Sequence, residues 1–363
     1  MKFKLVLLAI ATVVIAVVER GYALPVIEQQ LSVPWPSSPD LNQQSVIFRV
    51  RLLRLNLQNP RLQMRPRWAN PNQVTGTAPL PQIGAVYGAI AGINGGFFHI
   101  QRQMPLGAIK TEQQWYSGPI LGRGAIAWND QGEVLIDRLV YGERLTVDQS
   151  LIFLQALNSG YVKAGIARYN SNWGDFYTPI TSSELIFVVR GDRLVDQITS
   201  PGVGRPLVPI PQDGYLLVAR QADPADLTKL QLQAQVILDT RTLPDQFGRF
   251  PQVLGGGPLL LKQGQVVLDL KQEGFSAGFA NTRAARSAIA TTSQPGELLL
   301  VNIDNHDNLE LPNLEQTAKI LQRLGAVDAL NLDGGGSTGM FSPQGTSKGK
   351  RPVHNGLLIF VTQ

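Results

Sequence analysis

Asp333 stands in Asn331-Leu332-Asp333-Gly334-Gly335-Gly336-Ser337-Thr338-Gly339, directly after an apolar run from Val327. Three consecutive glycines cost backbone entropy and do nothing for a core. They let the chain turn tightly and aim successive N–H groups at an anion. A carboxylate at the end of a buried strand, beside such a loop, is a candidate for acid–base or nucleophilic work. Asp304 is a second, closing the apolar run Leu298–Ile303. The two segments flank a single convincing helix, so adjacent parallel strands would set both carboxylates on one sheet edge. A carboxylate pair is the equipment of glycosyl transfer or hydrolysis. Arg286 lies among small residues in Arg283-Ala284-Ala285-Arg286-Ser287-Ala288. Its planar fork suits a carboxylate or a phosphate, in a salt bridge or in a substrate. Asn94, in Asn94-Gly95-Gly96-Phe97-Phe98, offers a donor and an acceptor to sugar hydroxyls.

Other chemistries are excluded by what is missing. The chain has no Cys and three His (His99, His306 and His354), so thiolate catalysis and Cys- or His-rich metal centres are out. Gly335–Gly339 fits the G-x-S-x-G elbow of hydrolases, yet no Asp or Glu follows Asp333 to complete a triad in order. Gly345–Arg351 looks like a phosphate loop but has the wrong spacing, with Arg351 after Lys350. Asp304 and Asp333 as oxygen ligands of a divalent cation remain open.

The elements that must hold these residues read as follows. The 363 residues are 44% hydrophobic and 16% charged, which excludes a disordered chain or a coiled coil. With 36 Gly and 24 Pro, a turn-rich fold of short strands is favoured. Strand alternation begins at Val46. Hairpins are expected around Asn129–Gly132, Gly191-Asp192 and Gln263-Gly264. The convincing helix has Asn313 and Gln316 as a capping box and Gly325 as its stop. Pro258–Leu261, after Gly255–Gly257, reads as another strand. No composition break divides 46–363. The expectation is one α+β domain of mixed β-sheets with few helices, its site at strand ends and Gly-rich loops.

The amino terminus reads as an address. Lys2 and Lys4 precede Leu5–Val18, a run without charge, and Ala23 offers a small residue for cleavage. Fourteen residues rise about 21 Å as a helix, short of a ~30 Å hydrocarbon core. Residues 1–23 are therefore read as an export signal, with retention as an anchor the rival. Residues 24–45, with Pro25, Pro34, Pro36 and Pro39, read as a Pro-rich extended arm. Beyond residue 23 there are 29 basic and 26 acidic side chains, and the +3 balance argues against a nucleic-acid partner. No stable membrane span is expected once the signal is cleaved.

The Asn94 segment, Gly255–Leu260, the Arg286 segment, the strand ending in Asp304, the Asp333 loop and Arg351-Pro352-Val353-His354-Asn355-Gly356 follow one another in a familiar order. In that order the chain resembles the phosphodiester glycosidase family from about Val46 onward, most densely from Gly255. The resemblance implies an α+β fold and a hydrolase acting on a sugar 1-phosphodiester. It implies site roles for Asn94, Arg286, Asp304, Asp333, Gly334, Gly335, Gly336, Ser337, Thr338, Arg351 and Asn355. Asp304-Asn305-His306 departs from the family's usual Asp-Gly-Arg and removes an arginine that could face substrate. The expectation is an exported glycosidase, periplasmic or extracellular, with a carbohydrate or sugar-phosphate substrate and a link to exopolysaccharide. No cofactor is required by this chemistry. Asp333, Asp304 and Arg286 would be catalytic, and the remaining residues would bind substrate. The rival class is a non-catalytic polysaccharide-binding or envelope-assembly module.

Overall fold

A computed structural model describes residues 11–19, 22–35, 46–161, 163–304, 310–347 and 349–362. Strands account for 49% of the chain and helices for 12%, so the fold is mostly β rather than evenly α+β. Its largest sheet has eight strands. In spatial order they are Ala11–Glu19, Tyr22–Trp35, Val46–Asn56, Glu297–Ile303, Arg286–Thr292, Ala326–Asn331, Leu259–Lys262 and Gln265–Val266. Every neighbouring pair in it is antiparallel. Among the described pairings, Ser150–Leu157 with Gly165–Asn170 is parallel. The mixed-sheet expectation thus holds in the seven-stranded sheet formed within residues 140–243.

Alternation explains why Val46–Asn56 can lie inside the molecule. Phe48, Val50 and Leu52 face one core, and Leu53 and Leu55 face another. The helix Leu314–Arg323 covers the first face, seating Leu314, Ala318 and Leu321 against Val301, Ala288 and Leu261. Asn313 and Gln316 cap it reciprocally, as the sequence indicates, which is worth about 1 kcal/mol. The opposite face opens into a core shared with the other large sheets, to which Met64, Ile93, Ile126, Leu254, Ile186 and Leu216 all contribute. The three expected hairpins are present, and Gly191, Asp192, Gln263 and Gly264 have the positive φ that tight hairpin turns need.

Residues 11–19, inside the segment read as an export signal, form the edge strand. Residues 24–35 of the Pro-rich segment are no free arm: they belong to the next strand, in register with Val46–Leu55. Residues 1–10, 20–21, 36–45 and 305–309, with Asn305 and His306, lie outside the described residues. Among the described residues no helix is long and apolar enough to cross a membrane.

Candidate active site

Strand Arg286–Thr292 lies between the two strands that lead to the aspartates. Its register sets Arg286 opposite Ile303 on one side and Ala288 opposite Asn331 on the other. The aspartate-bearing strands are therefore parallel to each other, as expected, but the expectation that they are adjacent fails because Arg286–Thr292 runs between them. Two strand spacings, roughly 9.6 Å, separate them. Arg286 opens the strand between, so Asp304, Arg286 and Asp333 leave the sheet at one end.

Glycine lets the loop after Asp333 close on both arginines. Gly335 adopts φ 59°, in the left-handed region, and its N–H donates to the Ala285 carbonyl at 2.8 Å. A Cβ on Gly334 would fall 2.9 Å from that carbonyl, and one on Gly336 would lie 3.7 Å from the Arg351 side chain. Gly334 also runs beside the Arg286 side chain, whose Cδ would be 3.8 Å from the added Cβ.

Asp333 is 8% exposed. Its carboxylate accepts from the Gly334 N–H at 3.0 Å and lies 3.5 Å from the Arg351 guanidinium. Burial pushes its pKa above the usual carboxylate value, outweighing the Ser337 hydroxyl, the Arg351 charge and the Gly334 N–H. Arg351 is held in turn: its Nε donates to Ser337 Oγ at 2.9 Å, and its guanidinium sits 5.7 Å from the Phe98 ring centre. Thr338 Oγ1 is buried and has no hydrogen-bond partner among the described residues.

Arg286 is 2% exposed. It donates to the carbonyls of Thr282 and Pro312 and lies over the Phe279 ring. No carboxylate stands within 4.0 Å of it among the described residues, so the salt-bridge reading of this arginine finds no partner there. Burial lowers its pKa to about 10. A buried guanidinium without a counter-charge is costly alone and favourable once an anion arrives.

Asn94 and Asn355 are buried beneath the loop and do not face solvent. Asn94 Nδ2 donates to the Asp333 carbonyl at 2.6 Å, while its Oδ1 accepts from Ser287 Oγ at 2.6 Å and the Gly339 N–H at 3.1 Å. That amide fastens the Asp333 loop to the Arg286 strand. Asn355 Oδ1 accepts from the Gly96 N–H at 2.8 Å, and its Nδ2 donates to His354 Nδ1 at 3.0 Å. His354 Nε2 donates to the Val74 carbonyl at 2.6 Å, and complete burial pulls the imidazole down to about 4. Both amides, read from sequence as substrate contacts, bond the protein's own backbone and side chains here. The glycine pairs serve close packing too: a Cβ on Gly96 would sit 2.4 Å from the Gly255 carbonyl.

Asp304 stands apart from Arg351. It lines a cavity of about 500 Å³ with Arg49, Arg51 and Asn302, whereas Ser337 and Arg351 line one of about 380 Å³ with Leu80 and Lys350. Ser347 borders both. Ser287 and His354 belong to the supporting network and were not singled out from sequence, since nothing in a lone Ser or His shows what it will bond. Among the described residues no group of three or more His, Asp or Glu is placed to hold a metal ion.

Comparison with known proteins extends these observations. Residues 183–360 match the family described as Phosphodiester glycosidase. A curated relative, N-acetylglucosamine-1-phosphodiester alpha-N-acetylglucosaminidase of Bos taurus, is 27% identical over 173 residues, 45% of this chain and 29% of that protein. The match thus spans under a third of the relative's length. The crystal structure of a hypothetical protein from Synechocystis superposes with a TM-score of 0.85 at 39% identity, covering 92% of this chain and 62% of that one. A Burkholderia pseudomallei K96243 protein, provisionally described as exported, shares the fold at TM-score 0.71 and 21% identity, over 88% of this chain and 75% of its own. The segment 183–360 contains Arg286, the Asp333 loop and Arg351, and it is there that this chain is similar to the phosphodiester glycosidase family.

Proposed function

We propose that the chain is an exported glycosidase that hydrolyses a sugar 1-phosphodiester, cleaving between the sugar C1 and the phosphate oxygen. The observation that carries this reading is the buried Arg286, lacking a carboxylate among the described residues, alongside a buried Asp333 across Gly334. A phosphate meets Arg286 from one side and Arg351 from the other, with the Gly334–Gly336 backbone between them. It is already a good leaving group, so charge stabilisation matters more than protonation. Asp333, its basicity raised by burial, serves the cationic sugar centre as nucleophile or as base toward water.

Asp304 has the partner role, reached across the intervening strand. A separation of 6.5–9.5 Å between the carboxyl groups would correspond to inversion. The anomer of the first-formed product, read by proton NMR, assigns that role: inversion supports Asp304 as partner, retention removes it. The amino-terminal pattern, and the Burkholderia neighbour provisionally described as exported, support a periplasmic or extracellular location. A role in exopolysaccharide metabolism fits an enzyme of this class outside the cytoplasm.

The test is turnover of sugar 1-phosphodiesters by purified protein, with Asp333→Asn as the control. Cleavage by wild type and not by the variant supports the assignment. Glycan binding without cleavage by either replaces it with a polysaccharide-binding module.

A further inference from the structure

Away from the Asp333 loop, the strand Ile109–Thr111 carries a buried lysine that the proposed reaction does not use. Lys110 is 2% exposed. Its Nζ donates to the Gly248 carbonyl at 2.9 Å and lies 5.3 Å from the centre of the Trp115 ring. No carboxylate stands within 4.0 Å of it among the described residues. Beside it is a cavity of about 240 Å³, lined also by Gln113, Trp115, Tyr141, Thr240 and Arg241. Trp115 and Tyr141 pack at 4.8 Å between centroids and form an aromatic wall. Arg241, at the rim, is exposed and approaches Asp239 at 3.4 Å.

These features have one complementary ligand. A buried ammonium with a single carbonyl acceptor has donors left over, and an anion satisfies them better than water does. An indole and a phenol side by side accept the C–H face of a ring, and the amide of Gln113 and hydroxyl of Thr240 suit ring hydroxyls. The volume holds one monosaccharide. We infer that this cavity is a second carbohydrate subsite, which takes a sugar residue bearing a carboxylate or a phosphate, with the anion on Lys110 and the ring against Trp115. The burial that leaves the amine short of partners also lowers its pKa to about 8, so it remains largely protonated at neutral pH. The subsite lies between the strand Ile109–Thr111 and the strand Val236–Leu243 of the seven-stranded sheet.

The experiment titrates the intact protein with glucuronic acid, glucose 6-phosphate and neutral glucose, following the Trp115 indole and Gln113 amide resonances by NMR. Both anionic sugars should shift these signals, and glucose should do so at least about tenfold more weakly. Lys110→Met keeps the stem and deletes the charge. It should weaken the anionic sugars by about 10–100-fold, the worth of a hydrogen bond to a charged group. Asp333→Asn should leave this binding unchanged, which separates the subsite from the proposed catalytic centre. Preference for only one anionic sugar identifies which anion Lys110 reads. Equal binding of glucose, no shift at Trp115 with wild-type protein, or loss of binding in Asp333→Asn but not in Lys110→Met each overturns the inference.

Discussion

Asp333 and Arg286 are two buried charges that the fold keeps at some expense, and their variants separate chemistry from stability. Asp333→Asn should lower kcat on a sugar 1-phosphodiester by about 10²–10⁴-fold, as expected for a positioned acid–base group. The same change should leave the melting temperature at pH 7 equal or higher. The sign follows from the raised folded pKa: the protonated form fits the fold, so stability is complete below about 3.8 and falls as pH rises through the folded value. Arg286→Lys keeps charge and loses the fork, so turnover should drop more for a phosphodiester than for a nitrophenyl glycoside. Steady-state kinetics with melting curves read both variants. His354 works in the opposite pH sense. Its folded pKa of about 4 lies below the ordinary 6.5, so stability is full above about 6.5 and is lost on acidification toward 4. The loss approaches roughly 3 kcal/mol. His354→Gln should flatten that part of the stability–pH curve measured by urea unfolding; an unchanged slope would sink the assignment. The placement of Asp333 and Arg286 at one end of the sheet was legible in sequence because each sits in a composition that packing alone does not call for. Asn94 and Asn355 were legible as unusual but not as to task, because an amide next to glycines looks the same whether it bonds a sugar or the Asp333 carbonyl. Lys110 was not legible at all: a lysine in a short strand ordinarily reaches water.

Among the elements, those built from neighbours in sequence were readable and those built from distant partners were not. The Gly191-Asp192 hairpin and the Asn313-capped helix are set by turn and cap chemistry within a few residues. The order of the large sheet depends on pairings such as Val50 with Ile303, which no local pattern encodes. Hence the inserted strand between the two aspartates was missed. The seven-stranded sheet shows the same dependence in its polar core. Glu184 accepts from Arg220 at 2.8 Å and from Tyr177 at 2.7 Å, and Arg220 also reaches Tyr169 at 3.0 Å. Both charged side chains are nearly inaccessible, at 4% for Arg220 and 0% for Glu184. Glu184→Ala strands a buried guanidinium and should cost about 3–5 kcal/mol in chemical denaturation, whereas replacing both partners by apolar residues should cost much less. Equal losses for the single and double variants would show that packing, not pairing, fixes this region.

For the whole molecule, the first two strands of the large sheet divide at the proposed cleavage point. A mature protein beginning near Leu24 loses Ala11–Glu19 and keeps most of Tyr22–Trp35, whose Leu31 and Val33 belong to the helix-covered core. Such a protein should fold with an unchanged helical signal in circular dichroism, and amino-terminal sequencing of protein from the cell envelope should start near Leu24. An intact Met1 on cytosolic protein would refute export.

The long-range pairing also sets a schedule. Val46–Asn56 has Tyr22–Trp35 beside it on one edge but finds its other sheet neighbour only at Glu297–Ile303, and Leu62–Trp68 pairs with Asn355–Val361, near the carboxyl end. During synthesis, the first strands can pair with one another, but the large sheet cannot extend beyond Val46–Asn56, and Leu62–Trp68 has no strand partner, until most of the chain has left the ribosome. High contact order makes the subsequent search slow. A chain that cannot close its sheets early stays threadable, a delay that would suit the proposed export.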